Sequence, residues 1–285
     1  MVTLDVVGDL LARDRRSREP ALVTADGRER TAHDLITNAY KAANVLRYLG
    51  AREGSTVAVD STSGLHTTLA FLGAAGLGAA VRFDPAAGID AGDRVVVAPV
   101  AAEPSIDPPP GTNLAVFDGP PERPETTHWE QELWSENPAM PPSTVSPDDP
   151  VVRGDHEDVS HGRLVDAAEA VAADHGVDAG TRVVVRTTFA DPRALAAGVI
   201  APLARGGVVV LGDRSKKGGT GAEPGPDPET GSDPEPGSKP RGDLAVVDDA
   251  DAEPPEPVQI DVSSLPALDD WIERDLGRGS TGYDR

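Results

Sequence analysis

Short runs of β-branched residues recur along this chain, each separated from the next by a segment of helical character, and this alternation limits the folds open to it. Thr56 to Val59, Ala79 to Phe83, Gly92 to Ala98, Asn113 to Phe117, Thr181 to Arg186 and Gly207 to Leu211 each read as a short buried strand. Between them lie helical patterns. Leu35, Ala39, Ala42, Ala43, Leu46 and Leu49 recur at three- and four-residue spacing, with Thr31 placed as N-cap and Gly50 as terminator. Leu65 to Leu77 and Pro192 to Ala204 are helices of small residues, and Ser160 is placed to cap a helix whose apolar side is Leu164, Ala167, Ala168, Val171 and Ala172. Strands that alternate with helices predict an α/β protein with mainly parallel sheets and crossover helices.

The segments outside this pattern have their own signatures. Ala21 to Thr24 and Glu29 to Thr31 flank Asp26-Gly27, which predicts a β-hairpin closed by a type I′ turn. Val2, Leu4, Val6, Val7, Leu10 and Leu11 predict an amphipathic helix at the N-terminus, with the basic cluster Arg13 to Arg18 at its end. Prolines crowd positions 120 to 150, with one helical turn expected around Trp129 to Trp134. That segment reads as a surface excursion tethered by both tryptophans; stacking of the pair on a planar ligand is the alternative. Arg214 to Gly242 carries one alanine and no larger aliphatic or aromatic residue, the composition of a disordered linker. Leu244 to Val247 reads as a strand, Asp248 to Pro257 as an acidic stretch, and Leu265 to Leu276 as a short amphipathic helix that docks on the body or serves another protein as a ligand. The expected division is residues 1–118 and 151–213 as two α/β segments, 119–150 as the excursion, 214–243 as linker and 244–285 as tail.

The 285 residues carry 48 carboxylates against 26 basic side chains, a net charge of -22. A polyanion repels other polyanions, which argues against nucleic acid or an anionic membrane as partner. Only four of the basic residues are lysines, and such carboxylate-rich, lysine-poor surfaces suit a halophile's cytoplasm. Cysteine is absent, which excludes disulfides and thiolate chemistry. No apolar run approaches the length of a membrane span, and a cytoplasmic location is expected.

Three stretches, ALVTADGRERTAHDL, AANVLRYLGAREGSTVAV and LAFLGAAGLGAAVRFDP, and then the block from Asp158 to Asp213, resemble the large N-terminal domain of the acyl-adenylate-forming ligases in residues and order. This is the family of AMP-dependent acyl-CoA synthetases and peptide-synthetase adenylation domains. The resemblance implies that domain's fold, with two similar subdomains. For an active member it would also imply ATP, magnesium and CoA as cofactors.

The residues at the family's functional positions depart from its pattern. A Ser/Thr/Gly-rich loop ending in lysine is expected just before Val159, where backbone N–H groups and the lysine hold a polyphosphate. The chain has DDPVVRGDHEDVSHG there, with one glycine, Gly154, no lysine, and Asp155, Glu157 and Asp158 in its place. In TTFADPRAL, Phe189 matches an aromatic of the acyl pocket, and Ala190 stands where the family has histidine. No Tyr-Gly-x-Thr-Glu motif follows Leu211. The expectation is therefore a degenerate, non-catalytic member, a binding or regulatory partner of a full-length synthetase or of its own copies. Its alternative is an active acyl-adenylate ligase, or an acyl- or nucleotide-binding enzyme, with a reduced site. No catalytic residue and no metal ligand set is expected, and no cofactor-binding residue is assigned. SKKGGTG at Ser215 to Gly221 lacks phosphate-loop spacing. His156 and His161 read as parts of a solvated acidic loop, His33 and His66 as residues near helix starts, and His128 and His175 as surface residues.

Overall fold

A computed structural model of the chain describes residues 4–154, 157–212, 241–248 and 254–268. Its strands are β1 (Pro20–Val23), β2 (Glu29–Thr31), β3 (Thr56–Val59), β4 (Ala80–Phe83), β5 (Asp93–Pro99), β6 (Asn113–Phe117), β7 (Thr127–His128), β8 (Pro150–Val152), β9 (Val159–Ser160), β10 (Arg182–Val185), β11 (Val208–Leu211), β12 (Leu244–Val247) and β13 (Val258–Asp261). The helices are α1 (Ala32–Tyr48), α2 (Leu65–Leu77), α3 (Trp129–Ser135), α4 (His161–Asp174), α5 (Pro192–Leu195) and α6 (Ala201–Arg205). A π-helical stretch, Ala196–Ile200, joins α5 to α6 without a break.

Two sheets result. Sheet I has the order β13-β12-β10-β11-β1-β2, and sheet II the order β7-β6-β5-β3-β4-β8-β9. All pairings are parallel except β1 with β2 and β8 with β9. The sheets do not follow the order of the chain: the β1–β2 hairpin belongs to the sheet built by the second α/β segment, and β8 and β9 complete the sheet built by the first.

The two-residue period of the strands sorts their side chains between layers. Val57, Val59, Val95 and Val97 of sheet II, with Val183, Val185, Val209 and Leu211 of sheet I, enter one core. Helices α1, α2, α4 and α6 contribute to that same core, so a helical layer lies between the two sheets. The alternate residues Ala58, Val96, Ala98, Leu114 and Val116 form a separate cluster on the far face of sheet II.

Burial on both sides explains the composition of α2, in which 11 residues from Thr67 to Leu77 are all buried. Small residues let its backbone approach α1. A Cβ at Gly73 would lie 2.8 Å from the backbone nitrogen of Ala43. Helix α1 starts on a reciprocal cap, in which Thr31 Oγ1 accepts from the Asp34 N–H at 3.1 Å and Asp34 Oδ2 accepts from the Thr31 N–H at 3.2 Å.

Several local expectations are corrected. The hairpin turn is not type I′: only Gly27 has positive φ (84°), and its N–H donates to the Thr24 carbonyl at 2.8 Å. This is a type I turn followed by a left-handed glycine, which lets Asp26 stay in an ordinary conformation. The N-terminal helix is two short 3₁₀ turns, Val7–Leu11 and Arg13–Arg15, broken at Ala12 with ψ 142°. The break swings Arg15 to donate to the carbonyls of Leu203 and Ala204 at 2.7 and 3.2 Å. Its charge therefore serves the C-terminal end of α6 and not that of its own segment. Of the two tryptophans only Trp129 is an anchor, fully buried, whereas Trp134 is 82% exposed. Strand β13, directly after the acidic stretch, is not among the strands expected from the sequence. Residues 265–268 are irregular, and the rest of the expected tail helix and residues 214–240 of the linker lie outside the described residues.

Candidate functional site

Both sheets change winding direction at a central strand. In sheet II, β3 has β4 on one side and β5 on the other; in sheet I, β10 stands between β11 and β12. The carboxyl ends of such strands are where open α/β sheets form crevices. After β3 comes Asp60-Ser61-Thr62-Ser63-Gly64, and after β10 comes Arg186 to Asp191. The two loops touch, since the Phe189 N–H donates to the Ser61 carbonyl at 2.7 Å.

Of the residues that the sequence resemblance singles out, Phe189 and Ala190 lie at this junction. Phe189 is fully buried, with its ring centroid 6.3 Å from that of Phe83, while Ala190 is exposed. Strands β8 and β9, on either side of residues 153–158, pair antiparallel. Arg153 pairs with Asp158, Arg163 pairs with Glu157 at 2.9 Å, and a Cβ added at Gly154 would clash with the Glu157 carbonyl oxygen. His161 is not in a solvated loop: it begins α4, is fully buried, and its Nδ1 accepts from the Val7 N–H. His156, Asp155 and Ser215 to Gly221 lie outside the described residues.

A further group of side chains, unremarked in the sequence, meets at the carboxyl edge of sheet II. Asp60, Asp84 and Asp118 directly follow β3, β4 and β6, and Asp84 and Asp118 both adopt left-handed backbone conformations. An aspartate after each of three strands is the signal that sequence reading passed over. Beside Asp118 stand His66 in the first turn of α2 and Glu130 in the first turn of α3. Glu130 Oε1 lies 3.7 Å from His66 Nε2 and accepts from the Asp118 N–H at 2.6 Å, and Glu130 Oε2 lies 3.5 Å from His128 Nε2.

Burial, assisted by the charge of Arg30, pushes the His66 imidazole down to about 4, so it is neutral near pH 7. Burial raises the Asp118 carboxyl, and the neighbouring Asp60 raises it further; burial also raises Glu130. His66 and Glu130 also line a cavity of about 210 Å³ whose other walls include Leu35, Leu69, Leu133 and the cations Arg30 and Lys41.

No family model matches the chain, and no curated protein matches it. Solved structures do. The chain is similar to the N-terminal domain of FACL13 from Mycobacterium tuberculosis, with a TM-score of 0.62 and 22% identity over 73% of this chain and 57% of that one. It is similar to the anthranilate CoA ligase AuaEII in complex with anthranoyl-AMP, with a TM-score of 0.60 and 18% identity over 72% of this chain and 44% of that one. A benzoate CoA ligase from Burkholderia xenovorans LB400 gives a TM-score of 0.59 and 20% identity over 73% and 45%. The chain thus spans about half the length of the structures it matches. Its fold is that of the N-terminal domain of acyl-adenylate-forming ligases, mixed α/β with mostly parallel sheets, as the sequence resemblance implies. Among the described residues, no helix is long and apolar enough to cross a membrane.

Proposed function

We propose that the chain is a non-catalytic relative of the acyl-adenylate-forming ligases, acting in the cytoplasm as a binding or regulatory partner of a full-length synthetase or of a second copy of itself. The ion pairs flanking the β8–β9 connection carry this reading. By the sequence resemblance the ligases' phosphate-binding loop would fall just before Val159, where Arg153, after β8, and Arg163, in the first turn of α4, face the chain's own Asp158 and Glu157. A nucleotide polyphosphate entering there would have to displace two ion pairs and would meet their carboxylates, with no lysine in the segment to offset them. Two exposed aromatics support a role in association: Trp134 on α3 is 82% exposed and Tyr48 at the end of α1 is 76% exposed.

The second reading, an acyl-adenylate ligase or acyl-binding enzyme that would use ATP, magnesium and CoA, is favoured by the cavity beside His66. Its leucine walls and the cations Arg30 and Lys41 suit a small carboxylic acid with an apolar body.

Thermal unfolding in molar KCl, with and without magnesium ATP, AMP, CoA and a panel of carboxylic acids, tests the choice. The proposal expects no shift with nucleotides; a shift with ATP or AMP, or release of pyrophosphate from ATP in the presence of a carboxylic acid, would overturn it. A ligand at a hundred times its dissociation constant adds about 2.7 kcal/mol, well within reach of a melting curve. For the partner role, proteins retained by the native chain are compared with those retained by a Trp134→Ala, Tyr48→Ser variant. An unchanged set would remove the two aromatics from the argument.

A further inference from the structure

His66, Asp118 and Glu130 come from three segments of the chain, the starts of α2 and α3 and the end of β6, and each offers a ligand atom within 4.8 Å of the other two. His128 approaches the same Glu130 carboxylate from β7. We propose that these residues form a binding site for a divalent transition-metal ion of the zinc class.

Spacing is the first argument. The 3.7 Å between His66 Nε2 and Glu130 Oε1 is too long for a hydrogen bond. Two ligands on one tetrahedral zinc, with bonds of about 2.0–2.1 Å, stand about 3.3 Å apart. The group is thus spread as ligands around a common centre are spread, and a small contraction would complete it.

Unmet hydrogen-bonding capacity is the second. Glu130 Oε2 and His66 Nδ1 are both buried without a hydrogen-bond partner, whereas buried polar atoms are nearly always satisfied. A cation held by the carboxylate would satisfy the first of these atoms directly. It would also offset the negative charge of Asp118 and Glu130, whose carboxylate oxygens lie within 4.8 Å of one another.

Pre-organisation is the third. The Asp118 N–H fixes Glu130 Oε1, and the His66 ring lies against Phe117 with centroids 5.2 Å apart. Such supports orient metal ligands before the ion arrives. Imidazole nitrogens together with carboxylates select zinc, cobalt or nickel over magnesium or calcium, which prefer oxygen alone. A bound ion would tie α3 to α2 and to the end of β6.

The test uses the full chain, stripped with chelator and returned to molar KCl so that surface carboxylates are screened. Zinc chloride is titrated calorimetrically, and histidine side-chain nitrogen spectra are recorded at each addition. One saturable equivalent is expected, at micromolar or tighter affinity and with magnesium unable to compete. The imidazole signals of His66 and His128 should shift while those of His33 and His175 stay in place. His66→Gln and Glu130→Gln should each weaken binding at least tenfold, and His33→Gln should leave it unchanged. Absence of saturable binding, full affinity in both ligand variants, or shifts confined to other histidines would overturn the proposal. The spectra of the unsubstituted protein decide the matter even if a variant fails to fold.

Discussion

The backbone N–H of Val7 donates to Nδ1 of His161 at 3.2 Å, joining positions 154 residues apart at a fully buried contact between the first 3₁₀ turn and the start of α4. The bond requires the imidazole to be neutral at Nδ1. Burial lowers the His161 pKa from 6.5 to about 4, against the opposing pull of the Asp149 and Asp9 carboxylates. A pKa lower in the folded chain than in the unfolded one means that folding disfavours the proton. The contribution is therefore complete above pH 6.5 and is lost as pH falls through about 4. The full loss is about 3 kcal/mol at most, by the conversion of pKa shift to free energy. His161→Asn, which keeps an acceptor but cannot titrate, should flatten the urea-derived stability profile between those limits relative to the native chain. Parallel profiles would show that His161 does not titrate in this range.

Gly73 sets the distance between α1 and α2. An added Cβ would stand 2.8 Å from the Ala43 nitrogen and 2.9 Å from the Ala42 Cβ, so backbone would have to move. Overpacking of this kind costs about 1–3 kcal/mol even where side chains can yield. Gly73→Ala should reach the upper part of that range and Gly73→Val should exceed it, whereas Gly92→Ala, with nothing within 4 Å, should stay near neutral. Denaturant midpoints of the three variants check the order. A Gly73→Ala midpoint equal to that of Gly92→Ala would mean that the helices can separate freely.

Arg186, just beyond β10, donates from Nε and Nη2 to the two oxygens of Glu256 at 2.8 and 2.6 Å, and the glutamate side chain is fully buried. Removing one partner of such a pair strands the other, at about 3–5 kcal/mol when the remaining charge stays buried. The two ends are unequal. Arg186→Met leaves a carboxylate in the interior, whereas Glu256→Gln leaves an arginine still 20% exposed to water. The arginine variant should therefore melt several degrees below the glutamate variant, and the reverse order would show that Glu256 escapes to solvent when unpaired.

Glu256 also shows where sequence reading stops. Strands β1 to β6 and β10 to β12, the cap of α1 at Thr31, the cap of α4 at Ser160 and the parallel class were legible because each rests on neighbours in the chain. Glu256 lies in a stretch that reads as acidic spacer, and its burial depends on Arg186, 70 positions away. The 3₁₀ turns at the N-terminus escape the sequence pattern for a similar reason: Val7, Leu10 and Leu11 satisfy either period, and the partners that Arg15 meets beyond the break, the Leu203 and Ala204 carbonyls, lie 188 and 189 positions away. The group around Glu130 was invisible in the same way. His66, Asp118 and Glu130 are unremarkable singly, and only the order of β3, β5 and β6 in sheet II brings them together.

The net charge of -22 gives the last prediction. Like charges held on a compact surface repel one another more than on an expanded chain, so folding works against a self-repulsion that salt can screen. The screening length is about 10 Å at 0.1 M salt and about 3 Å at 1 M, and beyond that point little repulsion between surface groups remains to be removed. The melting temperature should therefore climb steeply with KCl up to about 1 M and then level off. A rise that stayed linear to several molar, and that was larger in sulfate than in chloride at equal ionic strength, would point to salt exclusion from the surface. A flat or falling curve would mean that ion pairs such as Arg153 with Asp158 and Arg182 with Glu29 outweigh the net repulsion.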